Sequence, residues 1–371
     1  MSTATASHAV RTPVEHLEVG AYEVPTDEPE ADGTLSWDST TIVVVHAHAG
    51  GEWGVGYTYA DTSTATLVGS KLAGVVQGLD AMAPQAAWRA MVGAIRNLGR
   101  PGIASMAIAA VDTALWDLKA RLLDQPLGAL LGMARSCVPV YGSGGFTAYS
   151  NDRLMEQLSG WAREGIPRVK MKVGSRPGDD PERVRVARAA IGDDVELFVD
   201  ANGAYSRKQA LALAERFYAD AGVRWFEEPV SSDDLQGLAL LRDRMPPAME
   251  VAAGEYGYDV GYFERMAPAV DVLQADVTRC AGITELLRVD GVCRAHRIPL
   301  SLHCGPAIHL HPALALDRFV HVEYFHDHVR IEQLLFDGVQ SPRNGALWPQ
   351  LERPGNGLEF KRMDAERYAA A

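Results

Sequence analysis

The chain contains 371 residues, 47% of them hydrophobic and 8% aromatic, which is the composition of a folded globular protein. That length fits two domains of about 100 and 250 residues. The 48 acidic and 35 basic residues give a net charge of −13, which argues against nucleic acid or an anionic membrane surface as a partner. No run of about 18 apolar residues predicts a transmembrane helix.

The cysteines and the N-terminus favour a reducing compartment. The opening stretch MSTATASHAVRTP has no apolar segment that could form the core of a signal peptide. The four cysteines show no CxxC spacing, which predicts reduced thiols rather than disulfides or a zinc site; they are Cys137, Cys280, Cys293 and Cys304. We therefore expect a cytoplasmic protein.

Residues 1–135 are predicted to form an α+β domain. Apolar and polar residues alternate through 14–61, which predicts an antiparallel meander. A long polar loop from Pro25 to Ser39 is expected to interrupt it, and loops of that length often act as lids. From about residue 63 to residue 131, apolar residues recur at three- and four-residue spacing, which predicts helices.

Residues 136–327 are predicted to form a closed parallel barrel. Short apolar segments alternate with helical ones, and parallel strands need such helical crossovers. Eight is the number of strands that closes around a side-chain-filled interior. The candidate strands are VPVYGSG, RVKMKVG, VELFVDAN, VRWFEEP, MEVAAGE, VLQADV, IPLSLHC and FVHVEYF. The segment 328–371 is expected to pack back on the barrel and the first domain.

Ionisable residues end most of the candidate strands, each about one strand–helix unit after the last. They are Lys170 and Lys172, Asp200, Glu227 and Glu228, Glu255, Asp276, His303, and Glu323. In a parallel barrel, the carboxyl ends of all strands open onto one face, where active sites are built. The sequence therefore predicts that these distant residues converge.

Three carboxylates at successive strand ends predict a site for a divalent cation of the Mg²⁺ type. Asp200, Glu227 and Glu255 offer hard oxygen ligands and leave room for water and substrate. We interpret Glu228 as a structural neighbour of Glu227. The alternative for any one of these residues is a helix N-cap or a surface ion pair.

The two lysines of RVKMKVG must share one environment, because residues two apart in a strand point the same way. A lysine acts as a base near neutral pH only if its pKa is lowered, which a second ammonium and a divalent cation would both do. Lys170 and the metal could thus tune Lys172. The alternative is a pair of surface lysines on an edge strand, but a central barrel strand has no exposed edge.

A histidine and a carboxylate end neighbouring strands. Asp276 could orient the imidazole of His303 and raise its basicity, which would provide a second acid or base opposite the lysine; a structural histidine is the alternative. His309 and His311 are placed on the following helix, where residues two apart face different ways, so no zinc site is expected there.

The combination of motifs resembles the enolase superfamily and, within it, the mandelate racemase subgroup. The resemblance covers nearly the whole chain and rests on AAVDTALWDLKARLLDQPLGALLG, KMK, VDANGAY, FEEP, AAGE, ADVTRCAGITE, LHCGPAIHLH and VEYF. It implies a modified (β/α)8 TIM-type barrel under an N-terminal capping domain. Enzymes of this superfamily use a Lys or His base together with Mg²⁺, which stabilises an enediolate.

The resemblance also implies roles for individual residues. Lys172 matches the base on one substrate face, and His303 with Asp276 matches the acid or base on the other. Lys170 would contact the substrate carboxylate, and Glu323 would hydrogen-bond it. Asp200, Glu227 and Glu255 match ligands of one Mg²⁺ per subunit, and Asn202 is expected to line the site. Ala281 replaces a frequent Gly, and family members are often homo-oligomers, from dimers to octamers.

The implied reaction begins with removal of the proton α to a carboxylate, through an enediolate. We favour dehydration of a sugar acid, an aldonate or aldarate, to a 2-keto-3-deoxy acid, because the sequence resembles the acid-sugar dehydratases and the lid segment is polar: Asp27, Glu28, Glu30, Asp32 and Trp37. Those acidic residues could equally be solvated. The alternatives are a racemase or epimerase of a 2-hydroxy acid or amino acid derivative, a cycloisomerase, and a non-catalytic binding barrel.

Overall fold

A computed structural model describes residues 11–370. The first sheet within that range is antiparallel and has three strands. Its strands, in spatial order, are β1 (His16–Ala31), β2 (Ser36–Ala49) and β3 (Glu52–Tyr59). The sheet and the helices that follow it form the capping domain.

The predicted loop from Pro25 to Ser39 is wrong. β1 continues to Ala31, and the hairpin is closed by a short turn before β2 begins at Ser36. The pairing breaks only between Pro25 and Glu30, where a bulge shifts the register; proline has no N–H to donate to the ladder. The segment looked like a loop because its residues are polar, yet its backbone is extended and pairs on both sides of the bulge.

The helices of the capping domain pack on this sheet. They are α1 (Ser63–Leu67), a π-helical turn (Val68–Leu72), α2 (Ala73–Val76), α3 (Pro84–Ala94), α4 (Ile103–Leu122) and α5 (Leu127–Leu131). α4 lies against β3 at backbone distance, because a Cβ at Gly54 would be 2.1 Å from Ala114 O and a Cβ at Gly56 would be 2.3 Å from Ala110 O.

Eight parallel strands close the barrel, which confirms the predicted fold class. They are β4 (Val138–Gly144), β5 (Arg168–Lys172), β6 (Glu196–Asp200), β7 (Trp225–Glu227), β8 (Glu250–Ala253), β9 (Val272–Ala275), β10 (Leu300–Leu302) and β11 (Phe319–Phe325). Each pairs with its successor, and β11 pairs back with β4. All eight lie within the segments expected from the sequence.

Helices surround the barrel in alternation with its strands. They are α6 (Asn151–Arg163), α7 (Asp180–Ile191), α8 (Arg207–Ala221), α9 (Leu235–Arg244), α10 (Val260–Met266), α11 (Ile283–His296), α12 (Pro306–Ala315) and α13 (His326–Leu335); a 3₁₀ turn (Ala267–Ala269) follows α10. Among the helices of residues 11–370, none combines the length and hydropathy needed to cross a bilayer.

The C-terminal segment returns to both domains. Its short strands are β12 (Phe336–Asp337), β13 (Ala346–Leu347) and β14 (Glu359–Phe360), followed by α14 (Arg362–Ala365) and a 3₁₀ turn (Glu366–Tyr368). β13 pairs antiparallel with the start of β4, and β12 pairs with β14. The Ala370 N–H donates to Ala21 O at 2.9 Å, so this segment also lies against the capping sheet.

The barrel interior below the strand ends is filled by aromatic rings. Tyr141, Phe198 and Trp225 are buried together with Ala252 and Val272. The rings of Phe198 and Trp225 stack with centroids 5.0 Å apart. This layer forms an apolar floor, which leaves the carboxyl ends of the strands as the open face of the barrel.

Candidate active site

Lys170 and Lys172 project from β5 into the barrel mouth. Lys170 is fully buried, with Nζ 5.4 Å from the centre of the Tyr141 ring. Its Nζ lies 2.5 Å from Glu227 Oε1 and 2.8 Å from Glu323 Oε1. The Nζ of Lys172 lies 2.5 Å from Asp200 Oδ2. The lysines therefore lie among carboxylates, as a buried pair of cations requires.

The expected lowering of the Lys172 pKa is not found in this arrangement. Burial and the charge of Lys170 do lower it, but the carboxylate of Asp200 outweighs them, and the pKa is raised above its ordinary value. The expectation rested on the neighbouring cations and left out the carboxylate, which only the fold brings close. A cation that competed for Asp200 would weaken this effect.

The three predicted metal ligands lie together. Asp200, Glu227 and Glu255 each offer a carboxylate oxygen, and these oxygens all lie within 4.8 Å of one another. All three residues are buried, and Glu255 Oε2 has no hydrogen-bond partner. Burial and the repulsion of Asp200 raise the pKa of Glu227 well above its usual value. A buried carboxylate cluster with an unpartnered oxygen fits a hard divalent cation.

Glu228, interpreted from the sequence as a structural neighbour, lies close to the same cluster. Its backbone has a φ of 37°, its carboxyl group is buried, and Oε1 has no partner. Burial, followed by the charges of Glu255 and Asp200, raises its pKa well above the usual range. It therefore adds to the negative charge that a cation would neutralise.

His303 is oriented by its neighbour on the adjacent strand. Nδ1 lies 2.9 Å from Asp276 Oδ2, and Nε2 lies 3.4 Å from Glu255 Oε2. Burial would raise the pKa of Asp276, but the hydrogen bond and charge of His303 hold it well below its usual value. The ionised carboxylate directs Nδ1 away from the cavity and leaves Nε2 facing the carboxylate cluster.

The carboxylate of Glu323 contacts three donor groups: one on β4, one on β5 and one just after β10. Its Oε1 accepts from Ser143 Oγ at 2.5 Å and from Lys170 Nζ at 2.8 Å. Its Oε2 accepts from the Cys304 N–H at 3.1 Å. Burial raises its pKa, but Lys170 outweighs that effect, so the pKa lies well below the ordinary value. In this arrangement Glu323 is an ionised acceptor.

Both domains line one cavity of about 350 Å³ at this face. The barrel contributes Lys172, Asn202, Glu255 and His303, among others. The Asn202 N–H donates to Asp200 Oδ1 at 2.9 Å, and its side-chain Oδ1 is buried without a partner. The cavity thus joins the two candidate proton carriers to Glu255, one of the three candidate metal ligands.

Several residues of this cavity were not predicted from the sequence. Arg279 lies with Nη1 3.5 Å from Glu255 Oε1 and Nε 3.9 Å from Asp276 Oδ2, and its guanidinium lies 5.1 Å from the centre of the Tyr256 ring. The sequence feature that could have identified Arg279 is its position, three residues after the strand-end residue Asp276. Cys304, Tyr59 and His328 also line the cavity, although none of them belongs to the set of ionisable residues expected at the strand ends.

His309 and His311 use their ring nitrogens within the fold. The Val277 N–H donates to His309 Nε2 at 2.8 Å, and the Gly128 N–H donates to His311 Nδ1 at 3.0 Å. Each ring therefore holds a backbone group of a different segment. These contacts account for two polar side chains inside the apolar helix α12.

Two family profiles match the chain. Residues 18–132 match the mandelate racemase / muconate lactonizing enzyme N-terminal domain. Residues 153–365 match the enolase C-terminal domain-like family. Together these matches cover the capping sheet, its helices and nearly all of the barrel.

Similar proteins agree with these profiles. A mandelate racemase/muconate lactonizing enzyme-like protein from Rubrobacter xylanophilus is 60% identical, with a TM-score of 0.96 over 96% of this chain and 100% of that chain. D-galactarolactone cycloisomerase from Agrobacterium fabrum is 30% identical over 95% of this chain and 96% of its own. L-talarate/galactarate dehydratase from Salmonella typhimurium LT2, liganded with Mg and L-lyxarohydroxamate, is 25% identical. Its TM-score is 0.90, and the match covers 100% of this chain and 96% of that chain.

Proposed function

Because the chain belongs to the mandelate racemase subgroup of the enolase superfamily, we propose that it removes the proton α to a carboxylate with the help of one Mg²⁺ per subunit. The reaction we favour is dehydration of a sugar acid to a 2-keto-3-deoxy acid. Its product follows from loss of the α proton and of the β hydroxyl as water, followed by tautomerisation of the enol.

One observation carries the proposal: Lys172 and His303 line the same cavity and both border the carboxylate cluster. β5 and β10 lie three strands apart one way around the barrel and five the other. A substrate held at the cluster would therefore have a proton carrier on each side. Two such groups on different substrate faces permit anti removal of a proton and a hydroxyl.

The ion and the charged residues share the stabilisation of the intermediate. Asp200, Glu227 and Glu255 would hold the Mg²⁺ ion, which would supply positive charge where the substrate carboxylate gains negative charge. The Lys170 ammonium would bind the same carboxylate, and Glu323 would hold Lys170 in position. Lys172 would take the α proton, and protonated His303 would donate to the departing hydroxyl.

An isomerase is the alternative. The observation that favours it is the same pair of proton carriers, because His303 could return a proton to the opposite face of a substrate that lacks a leaving group. A racemase, an epimerase or a cycloisomerase would need no residue beyond those already named. The distinction therefore depends on whether a β hydroxyl is expelled.

The test uses the purified protein with Mg²⁺ and a panel of sugar acids. We expect a 2-keto-3-deoxy acid product from at least one of them, with one solvent deuterium at C3, because the α carbon becomes the ketone carbon and tautomerisation of the enol adds a proton to its neighbour. Exchange on another carboxylic acid without any dehydration would favour the isomerase. The Lys172→Ala variant should lose exchange from one substrate face, whereas Lys208→Ala, at an exposed position on α8, should match the parent. Unchanged exchange in Lys172→Ala would contradict the role of this residue.

A further inference from the structure

We infer that the substrate end remote from the reacting carboxylate carries no charge, so that the enzyme takes aldonates in preference to aldarates. This inference rests on the proposed function, since it describes a second region of the same cavity. It is based on the charges of the capping-domain surface that covers the carboxylate cluster.

The capping domain lines the cavity without a basic side chain. Among the residues that the structure describes there, it contributes hydroxyl, aromatic, aliphatic and acidic groups, including Asp32, Trp37, Ser39, Thr41, Tyr59 and Asp61. A buried or half-buried second carboxylate would need a cation or several N–H donors to replace its water. This surface offers hydroxyl groups, which suit hydroxyl groups of a sugar chain.

The two acidic residues of this surface are held by their own turns. Asp32 Oδ1 accepts from the backbone N–H of Thr34 at 2.6 Å and of Leu35 at 2.7 Å. Asp61 Oδ1 accepts from Ser63 N and Oγ at 2.8 and 2.6 Å, and these bonds lower the pKa of Asp61. Two fixed negative charges beside the cavity would repel the second carboxylate of a diacid.

The cations on the barrel side lie at the carboxylate cluster. Lys172 is bonded to Asp200, and Arg279 lies between Glu255 and Asp276. Each of these cations belongs to the end of the cavity that holds the reacting carboxylate. Neither is placed to bind a second carboxylate at the capping-domain end.

His328 is neutral and does not supply the missing charge. Its Nδ1 accepts from the Gly305 N–H at 3.3 Å, and its ring stacks on Tyr59 with centroids 3.4 Å apart. Burial lowers its pKa to about 3. An acceptor Nδ1 places the proton on Nε2, so the ring is a neutral donor.

The tip of the β1–β2 hairpin holds this surface in place. Thr147 N and Oγ1 donate to Ala31 O at 2.8 Å and to Asp32 O at 2.7 Å. A Cβ at Gly33 would lie 2.3 Å from Ala201 O, so the hairpin tip touches the loop after β6. The charges of the capping surface therefore lie over the cavity, where they can select the remote end of a substrate.

The test compares matched pairs of substrates on the Mg²⁺-loaded enzyme: gluconate with glucarate, galactonate with galactarate, and mannonate with mannarate. The members of each pair differ only in whether the terminal carbon is a hydroxymethyl group or a carboxylate. We expect kcat/KM to be at least about tenfold higher for the aldonate of any pair that reacts. Equal or higher values for the aldarate would overturn the inference and leave the proposed function standing.

A variant that adds a positive charge tests whether the capping-domain surface contacts the remote end of the substrate. Thr41→Arg should narrow the aldonate-to-aldarate ratio of kcat/KM, whereas Thr66→Arg, at an exposed position of α1, should keep it. An unchanged ratio in folded Thr41→Arg would count against the capping surface as the selector. If neither class of acid is dehydrated or exchanges its α proton, the proposed function itself fails, and that result is distinct from a preference for diacids.

Discussion

His303 Nδ1 lies 2.9 Å from Asp276 Oδ2, although the two residues are 27 positions apart in sequence. The carboxylate belongs to the end of β9 and the imidazole to the end of β10, and these strands are paired. The contact determines which ring nitrogen faces the cavity. We therefore expect Asp276 to position His303 without touching the substrate itself.

Asp276→Asn should remove this orientation. An amide can present either a donor or an acceptor to Nδ1, so the tautomer with a free Nε2 is no longer enforced. We expect α-proton exchange from the His303 side of the substrate to fall by about 100-fold or more, while exchange from the Lys172 side persists. Deuterium incorporation into both stereoisomers measures the two faces separately. An equal loss on both faces would indicate a general structural effect instead.

Glu255→Gln should weaken binding of Mg²⁺. The substitution removes one of three clustered carboxylates, including the buried Oε2 that has no partner. We expect the Kd measured by isothermal titration calorimetry to rise at least about tenfold, since even loss of an outer-shell partner costs that much. Glu196→Gln is the matched control, because Glu196 is exposed at the start of β6, at the other end of the strand from Asp200. An unchanged Kd in Glu255→Gln would refute its role as a ligand.

Gly33→Ala should prevent the hairpin from closing over the cavity. The new Cβ would meet Ala201 O at 2.3 Å and Val173 O at 2.7 Å, and backbone atoms cannot move aside as a flexible side chain can. We expect kcat/KM to fall with little change in Tm, because the contact lies at the tip of the hairpin and outside the core. Gly178→Ala is the control, since nothing lies within 4 Å of its added Cβ. Parent-like activity in Gly33→Ala would show that closure is not needed.

Asp112 should make stability fall as pH rises towards neutrality. Its carboxylate on α4 accepts from Thr284 N and Oγ1 at 2.8 and 2.7 Å, at the start of α11. Burial raises its pKa from 3.8 to about 7. Between about pH 4 and pH 7 the folded chain therefore keeps a proton that the unfolded chain has lost, so this contribution to stability decreases with rising pH across that window.

Asp112→Asn removes the titration. The difference in the free energy of unfolding between pH 5 and pH 7, measured with urea, should be smaller in this variant than in the parent. Asp124→Asn, at an exposed position just after α4, should reproduce the parental pH dependence. Identical slopes in the parent and Asp112→Asn would mean that Asp112 stays ionised when folded.

Much of the fold could be predicted because its signals are local. Each barrel strand is a short apolar run followed by a helical pattern, and β11 was expected with its observed bounds, Phe319–Phe325. The same logic brought Asp200, Glu227 and Glu255 together, because strand ends in a parallel barrel share one face. The roles assigned to these residues remain predictions, as do the domain boundaries.

Local signals failed where polarity and structure disagree. The segment between Pro25 and Ser39 is rich in acidic residues and looked like a loop, but its two halves pair with each other on both sides of a bulge, which the composition does not reveal. Glu30 is buried there and accepts from Trp37 Nε1 at 2.9 Å. A single buried hydrogen bond of this kind leaves no periodic pattern in the sequence, so it could not be predicted.

The amino-acid sequence by itself determined the order of strands and helices and the shared face of Lys170 and Lys172. It also determined which ionisable residue types gather at the barrel mouth. These features follow from the two-residue periodicity of a strand and from the parallel arrangement of the barrel strands. Only the tertiary structure decided which carboxylate each lysine contacts, that Arg279 joins Glu255 to Asp276, and that a hairpin covers the cavity. Distances and burial arise when the barrel closes and the capping domain docks, and pKa values depend on both.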